Sequence, residues 1–214
     1  MRKFSQALAL AALLLSSTAY AETIAPVASA AAKPVKQPWL YEGSDVPVDK
    51  SWTFGTLPNG LRYAVKKNGV PAGQISVRVR IDAGALHENN EEQGFAHLIE
   101  HLSFRGSTFV PDGEAKRIWQ RFGVTFGSDS NAQTTPTQTV YKLDLPNATP
   151  EKLDESVKII SGMIRNPRIS KTALNAERSI VLAELRENSG AQLIYSDALR
   201  QHAFQGQRLA NRST

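Results

Sequence analysis

The chain contains no cysteine. A disulfide framework is therefore excluded, and so are thiolates as nucleophiles or metal ligands, so any metal held here rests on histidine and carboxylate. Lysine and arginine are not gathered into a stripe interleaved with aromatics, the footprint that nucleic-acid binding needs. The formal charge is only +5. It falls to about +3 once Arg2 and Lys3 leave with an amino-terminal signal, so ordinary solvated charge accounts for it and no nucleic acid is expected as a partner. No internal repeat is visible in the 214 residues. After the amino-terminal segment no stretch approaches the roughly 20 apolar residues that a membrane-spanning helix requires, so no stable membrane anchor is expected. With 41% hydrophobic and 21% charged residues, the chain can still bury a substantial core.

What is present begins with MRKFSQALALAALLLSSTAYA. A basic start, an apolar run from Ala7 to Leu15 and small residues Ala19 and Ala21 on either side of Tyr20 have the pattern of a secretory signal over residues 1–21. Export follows, most simply to a bacterial periplasm. Residues 22–50 open with ETIAPVASAAAKPVKQP, an Ala/Pro-rich lead without sustained period that reads as flexible. A single folded domain is expected over 51–214.

Within it, Asn59-Gly60 between two strand-like runs predicts a hairpin. Ile75, Val77, Val79 and Ile81 alternate with Ser76, Arg78, Arg80 and Asp82, a strand covered on one face. The period turns helical from Glu91 to Phe104, where Glu91 and Glu92 would favour the positive end of the dipole. A shorter helix ends at Gly123. Strands are expected around 124–134 and 137–145, a helix over 150–165 capped by Thr149, and a last long helix over 171–188 that resumes after Gly190. Strands and helices without strict alternation predict an α+β fold, a two-layer sandwich with helices packed on an antiparallel or mixed sheet.

Half of the chain's four histidines lie in HLIEH, residues 97–101. At about 100° per residue, His97, Glu100 and His101 project from one side of a helix. Phe95, Leu98, Ile99 and Leu102 make the other side apolar, so protein should cover the helix around most of its circumference. Burying two imidazoles and a carboxylate is costly unless something satisfies them. Two imidazoles one turn apart can converge on one zinc ion, and the neighbouring carboxylate can then take a proton from its water. Histidines in plain hydrogen bonds are the ordinary alternative, and they remain the explanation for His87 and His202, which stand outside any pattern.

A hydrolytic zinc site takes three protein ligands. Without cysteine the third is a carboxylate by preference, and NAERSIVLAELREN, residues 175–188, offers two. Glu177 and Glu184 are about 340° apart around the helix, on one stripe among Leu174, Ile180 and Val181. Glu187 falls with Ser179 and Arg186 on the opposite, solvated face. Either of the two stripe acids could complete the set.

H-x-x-E-H followed by E-x6-E on a downstream helix resembles the inverted zinc motif of the pitrilysin/insulinase family of metallopeptidases. The likeness runs from about Trp52 to Gln207: LPNGLRY is similar to the family's first hairpin, GFAHLIEHLSFRGS to its metal helix, NAQTTPTQTVY to its active-site strand and ERSIVLAELREN to its ligand helix. The resemblance implies that His97, His101 and Glu184 hold one Zn2+ ion, that Glu100 is the general base, and that Glu177 orients a ligand histidine from behind. It also implies that an edge strand near 130–134 pairs with extended peptide or unfolded substrate, with Asn131 and Ala132 matching best. From residue type alone that polar, Thr-rich stretch is a loop or an edge strand.

Relatives resembling this chain continue into a homologous second half that closes over the substrate. The expectation is therefore the amino-terminal metallopeptidase portion of an exported zinc endopeptidase, cut short at its carboxyl end and weak or inactive by itself. The alternative is a non-catalytic zinc- or peptide-binding partner subunit of a two-chain peptidase. A metal-free secreted scaffold would follow only if the ligands do not converge.

Overall fold

A computed structural model describes residues 38–187 and 189–212. The signal expected at 1–21 and the first part of the lead lie outside these residues. Contacts divide the chain into two compact units after Lys67, inside the span 51–214 read above as one domain.

The described part of the first unit is an antiparallel hairpin of β1 (Trp52–Thr56) and β2 (Arg62–Lys66). Its turn is closed by Gly60 N–H donating to the Leu57 carbonyl at 2.9 Å, and Gly60 at φ 88° takes the left-handed conformation that favours glycine. Trp39 and Tyr41, from the stretch read as a flexible lead, pack against Phe54 with ring centroids 5.1 and 5.0 Å away.

The second unit carries a three-stranded antiparallel sheet of β3 (Ile75–Ile81), β4 (Ser130–Thr134) and β5 (Thr139–Leu145) in the order β3-β5-β4. The alternation in β3 has its expected effect: Ile75, Val77, Val79 and Ile81 turn inward while Ser76, Arg78 and Arg80 stay exposed. Register places Val77 opposite Leu143 and Val79 opposite Tyr141, so the inner face of β3 continues onto β5. Helices α2 (Glu114–Arg121) and α3 (Pro150–Arg165) cover that face. Ile118 and Trp119 of α2 and Ile159, Ile160 and Met163 of α3 join Tyr141, Leu143 and Leu145 in one core. This is the expected α+β sandwich, with a wholly antiparallel sheet.

Helix α1 (Phe95–Ser103) packs against α4 (Lys171–Glu187) and β4, and α5 (Ala191–Ala203) follows α4. Two short 3-10 helices lie at Ala85–His87 and Arg208–Asn211. Among the described residues no helix is long and apolar enough to cross a membrane.

Three local expectations change. Helix α1 starts at Phe95, not near Glu91, because Gly94 at φ 89° breaks the helical path. Neither Glu91 nor Glu92 therefore lies in its first turn. The strand expected from 124 begins only at Ser130, because Gly127 at φ 98° and the Asp129 carboxylate accepting from Thr125 N–H form a turn before it. Third, the cover expected around α1 is incomplete: Phe95 and Ile99 are about half exposed, since α4 and β4 cover its other sides.

Candidate metal centre

Helix α1 presents His97, Glu100 and His101 to the same side, as 3.6 residues per turn requires. Opposite them α4 presents Glu184. The Glu184 carboxylate lies 3.7 Å from His97 Nε2 and 3.5 Å from His101 Nε2, and one donor atom from each of the three residues falls within 4.8 Å of the others. The two imidazole rings meet edge to face at 4.9 Å. Two ligands bound at about 2.0–2.1 Å in tetrahedral geometry stand roughly 3.3 Å apart, so these separations suit a single small divalent ion. The donor set, two nitrogens and a carboxylate, fits zinc.

Glu177, seven residues before Glu184, has a different place. It is buried, and its carboxylate faces the far nitrogen of His101, Nδ1, at 3.1 Å. Its other oxygen accepts from Arg105 Nε at 2.5 Å. A carboxylate on Nδ1 fixes the tautomer that leaves the Nε2 lone pair free toward Glu184. The two stripe acids are set apart by distance: Glu184 faces both imidazoles, and Glu177 stands behind one of them. The stripe is not uniformly covered, because the Glu184 side chain is 40% exposed and that of Glu177 only 9%.

Glu100 is buried and accepts a hydrogen bond from Thr134 Oγ1 at 2.5 Å. Thr134 lies on the inner face of β4 with Ser130 and Ala132, since side chains alternate along a strand. Thr139 Oγ1, 3.3 Å away, donates in turn to the Ala83 carbonyl. Among the described residues strand β4 is an edge of the sheet, pairing with β5. Asn131 and Ala132 line a cleft of about 610 Å³ together with His97, Glu100, His101 and Glu184. The histidines set aside earlier stay outside this cluster. His87 Nδ1 accepts from Gly84 N–H at 3.1 Å, and His202 is exposed on α5.

Sequence reasoning missed Arg105, Thr134 and Glu88. Arg105 sits four residues after His101, in the continuation of the metal stripe, so its charge beside apolar neighbours was an available signal. Thr134 could have been found from strand parity with Ala132. Glu88 accepts from Gly94 N–H at 2.9 Å and Ala96 N–H at 2.7 Å, taking up donors at the start of α1 from outside the helix. Sequence carries little trace of that.

Tyr141 fastens the other end of α1 to the sheet. Ser103 Oγ donates to the Ile99 carbonyl at 2.8 Å, so its 3.0 Å contact with Tyr141 Oη has the tyrosine as donor. Burial pushes the Tyr141 hydroxyl above its ordinary pKa. The Ser103 hydrogen bond opposes this and the Glu100 charge adds to it. The phenol therefore keeps the proton it donates.

Comparison with known proteins places the chain among zinc proteases by family and fold. The chain is 32% identical over 154 residues to a probable zinc protease PqqL of Haemophilus influenzae, a match covering 72% of this chain and 17% of the relative. Over 157 residues it is 32% identical to the mitochondrial-processing peptidase subunit beta of Caenorhabditis elegans, covering 72% of this chain and 32% of that one. Among solved structures, the first half of the periplasmic protease PqqL from Escherichia coli superposes with a TM-score of 0.75 at 30% identity, over 78% of this chain and 36% of that one. The chain thus spans well under two thirds of the length of these relatives. Residues 63–213 match the insulinase sequence family along almost the whole of the second unit, and the chain belongs to that family, peptidase family M16.

Proposed function

We propose that this chain is the metal-binding portion of a zinc-dependent endopeptidase that acts on peptides or unfolded polypeptides. One observation carries the reading: His97 Nε2, His101 Nε2 and a Glu184 oxygen converge from two helices while Glu177 occupies the nitrogen of His101 that faces away. In this reading His97, His101 and Glu184 hold the ion and Glu177 orients His101. Bound zinc supplies Lewis acidity, polarising a carbonyl and lowering the pKa of water towards about 7. Glu100 accepts the proton of the attacking water and returns it to the leaving amine, and the Thr134 hydroxyl keeps the carboxylate aimed into the cleft. The free edge of β4 offers backbone groups to an extended peptide, with Asn131 and Ala132 beside the scissile bond.

The similarity to a periplasmic protease supports export; in this reading residues 1–21 are the signal, 22–50 the lead and 51–214 the amino-terminal metallopeptidase domain. Exposure of the site favours a second reading for the chain by itself. The His97 and Glu184 side chains are 29% and 40% exposed, and a site open to water positions substrate poorly and screens its own charges. As an isolated chain it would then bind zinc or peptide without appreciable turnover, as one half or subunit of a larger peptidase.

Elemental analysis of the purified chain, with a peptide-cleavage assay before and after chelation, tests both readings. Stoichiometric zinc with chelator-sensitive cleavage supports the enzyme, and zinc without cleavage supports the non-catalytic portion. No bound zinc in a chain refolded with excess metal, with no binding of the peptide substrate, overturns both.

A further inference from the structure

Helix α1 has no capping side chain of its own at Gly94. The Glu88 carboxylate does that work from the preceding loop, with one oxygen on Gly94 N–H and the other on Ala96 N–H. Glu88 is buried, and its own place is set from the far end of the chain. Arg212 Nη2 donates to the Glu88 carbonyl at 3.1 Å and to Asn90 Oδ1 at 2.9 Å, and Arg208 Nη2 donates to the same carbonyl. Arg212 is 4% exposed, and the acceptors of its guanidinium are two carbonyls and an amide oxygen. A buried guanidinium spent on backbone oxygens is a charge-assisted clamp, not a surface ion pair.

The clamp acts at a sensitive point. Ala96, whose N–H the Glu88 carboxylate holds, directly precedes His97. Among the described residues His97 has no carboxylate behind it corresponding to Glu177 behind His101. Its position therefore depends on where the first turn of α1 is set. Metal–ligand distances fall within about 0.2 Å of their usual values, so the setting of that turn bears on ligation.

We propose that Arg212 is a positioning residue of the metal centre: through the Glu88 carbonyl and Asn90 it fixes the carboxylate that sets the first turn of α1, and with it His97. The proposal rests on the metal-centre reading above. Arg208 is the lesser arm of the same clamp, reaching the Glu88 carbonyl alone.

The test compares the parent chain with Arg212→Ala, Arg212→Lys and the core control Ile159→Val, which loosens packing away from this path. Zinc affinity is measured by competition with a chromophoric chelator, and amide hydrogen exchange is followed on the metal-free proteins. Arg212→Ala is expected to weaken zinc binding about tenfold, the lower end of what outer-sphere partners control, and to speed exchange of the Gly94 and Ala96 amides. Arg212→Lys, which keeps the charge and can reach one acceptor, should recover part of both. Ile159→Val should lower the melting temperature and leave zinc affinity alone, whereas loss of stability by itself would weaken zinc binding in both variants.

Arg212→Ala binding zinc within about twofold of the parent, with unchanged exchange at Gly94 and Ala96, overturns the proposal and leaves the metal centre standing. A parent chain that binds no zinc overturns the metal-centre reading and this proposal together. Should Arg212→Ala fail to fold, Arg208→Ala decides: faster exchange at the two amides with weaker zinc binding supports the clamp, and parent-like behaviour overturns it.

Discussion

Glu177 commits both oxygens, one to His101 and one to Arg105, whereas Glu184 faces the imidazoles with 40% of its side chain in solvent. The two acids should therefore respond differently to the same change. Glu177→Gln keeps the shape and removes the charge behind His101, and a 10–100-fold loss of zinc affinity is expected in chelator competition. Glu184→Gln removes a ligand and should cost more than that. Glu100→Gln should leave zinc affinity within a few-fold of the parent and abolish cleavage in any longer form that is active. A pH effect belongs to another residue. Burial pushes the Asp144 carboxyl up, but hydrogen bonds from Arg78, Ser76 and Lys142, with the charge of Arg78, outweigh it and hold the pKa at about 2. A carboxyl depressed on folding contributes stability that is complete above its unfolded pKa of about 3.9 and is lost as pH falls towards 2. Arg78 is 45% exposed, so solvent screening reduces the contribution to about 1 kcal/mol. Urea unfolding of Asp144→Asn should show that loss at pH 7 and a shallower decline in stability between pH 4 and 2.

Helix α3 was legible in the sequence because its signals are local. Thr149 precedes Pro150 at the first turn, the Thr149 hydroxyl accepts from Lys152 N–H at 3.3 Å, and the helix spans 150–165 as expected. Thr149→Ala should cost about 1 kcal/mol in urea unfolding without changing the slope of the transition. Helix α1 was misjudged at its start for the opposite reason. Its capping carboxylate lies six and eight residues upstream and depends on Arg212, a contact that no local window contains. Strand β4 was drawn too long because Val124 and Phe126 are strand-like residues, yet Val124 belongs to the core below α2, and a turn separates it from Ser130. Along α4 the 3.6-residue period fixes the direction of Glu177 and Glu184 and says nothing of their depth. Periodicity gives the direction of Glu184, but how much protein covers it depends on what packs on α4, and Ile180 and Leu185 there remain 43% and 59% exposed. Periodicity puts the two acids on one stripe two turns apart, and only the fold shows that Glu184 faces both imidazoles while Glu177 faces His101 Nδ1.

At the scale of the molecule, the core and the metal centre are separate. Leu143, Leu145, Ile159 and Met163 are fully buried around the sheet, and none of the three proposed ligands is among the core residues. Small metallo-domains that fold only around their ion lack such a core and unfold with chelator. Here the sheet, α2 and α3 should persist without metal. An ion bound at the proposed site would instead act by mass action on a fold already formed: zinc at 1,000 times its dissociation constant would add about 4 kcal/mol to stability. Held by the proposed ligands it would join α1 to α4, so the part of the chain expected to depend on it is α4 and the segment after it, where Leu182, Ile194 and Leu199 are also exposed. Addition of chelator is expected to lower the melting temperature, and far-UV circular dichroism at 25 °C should change little. Amides of α4 should exchange faster while those of β5 and α3 keep their protection. Collapse of β5 and α3 protection on chelation would mean that the ion, not the apolar core, organises this unit, and the division of labour drawn from the buried residues would be wrong.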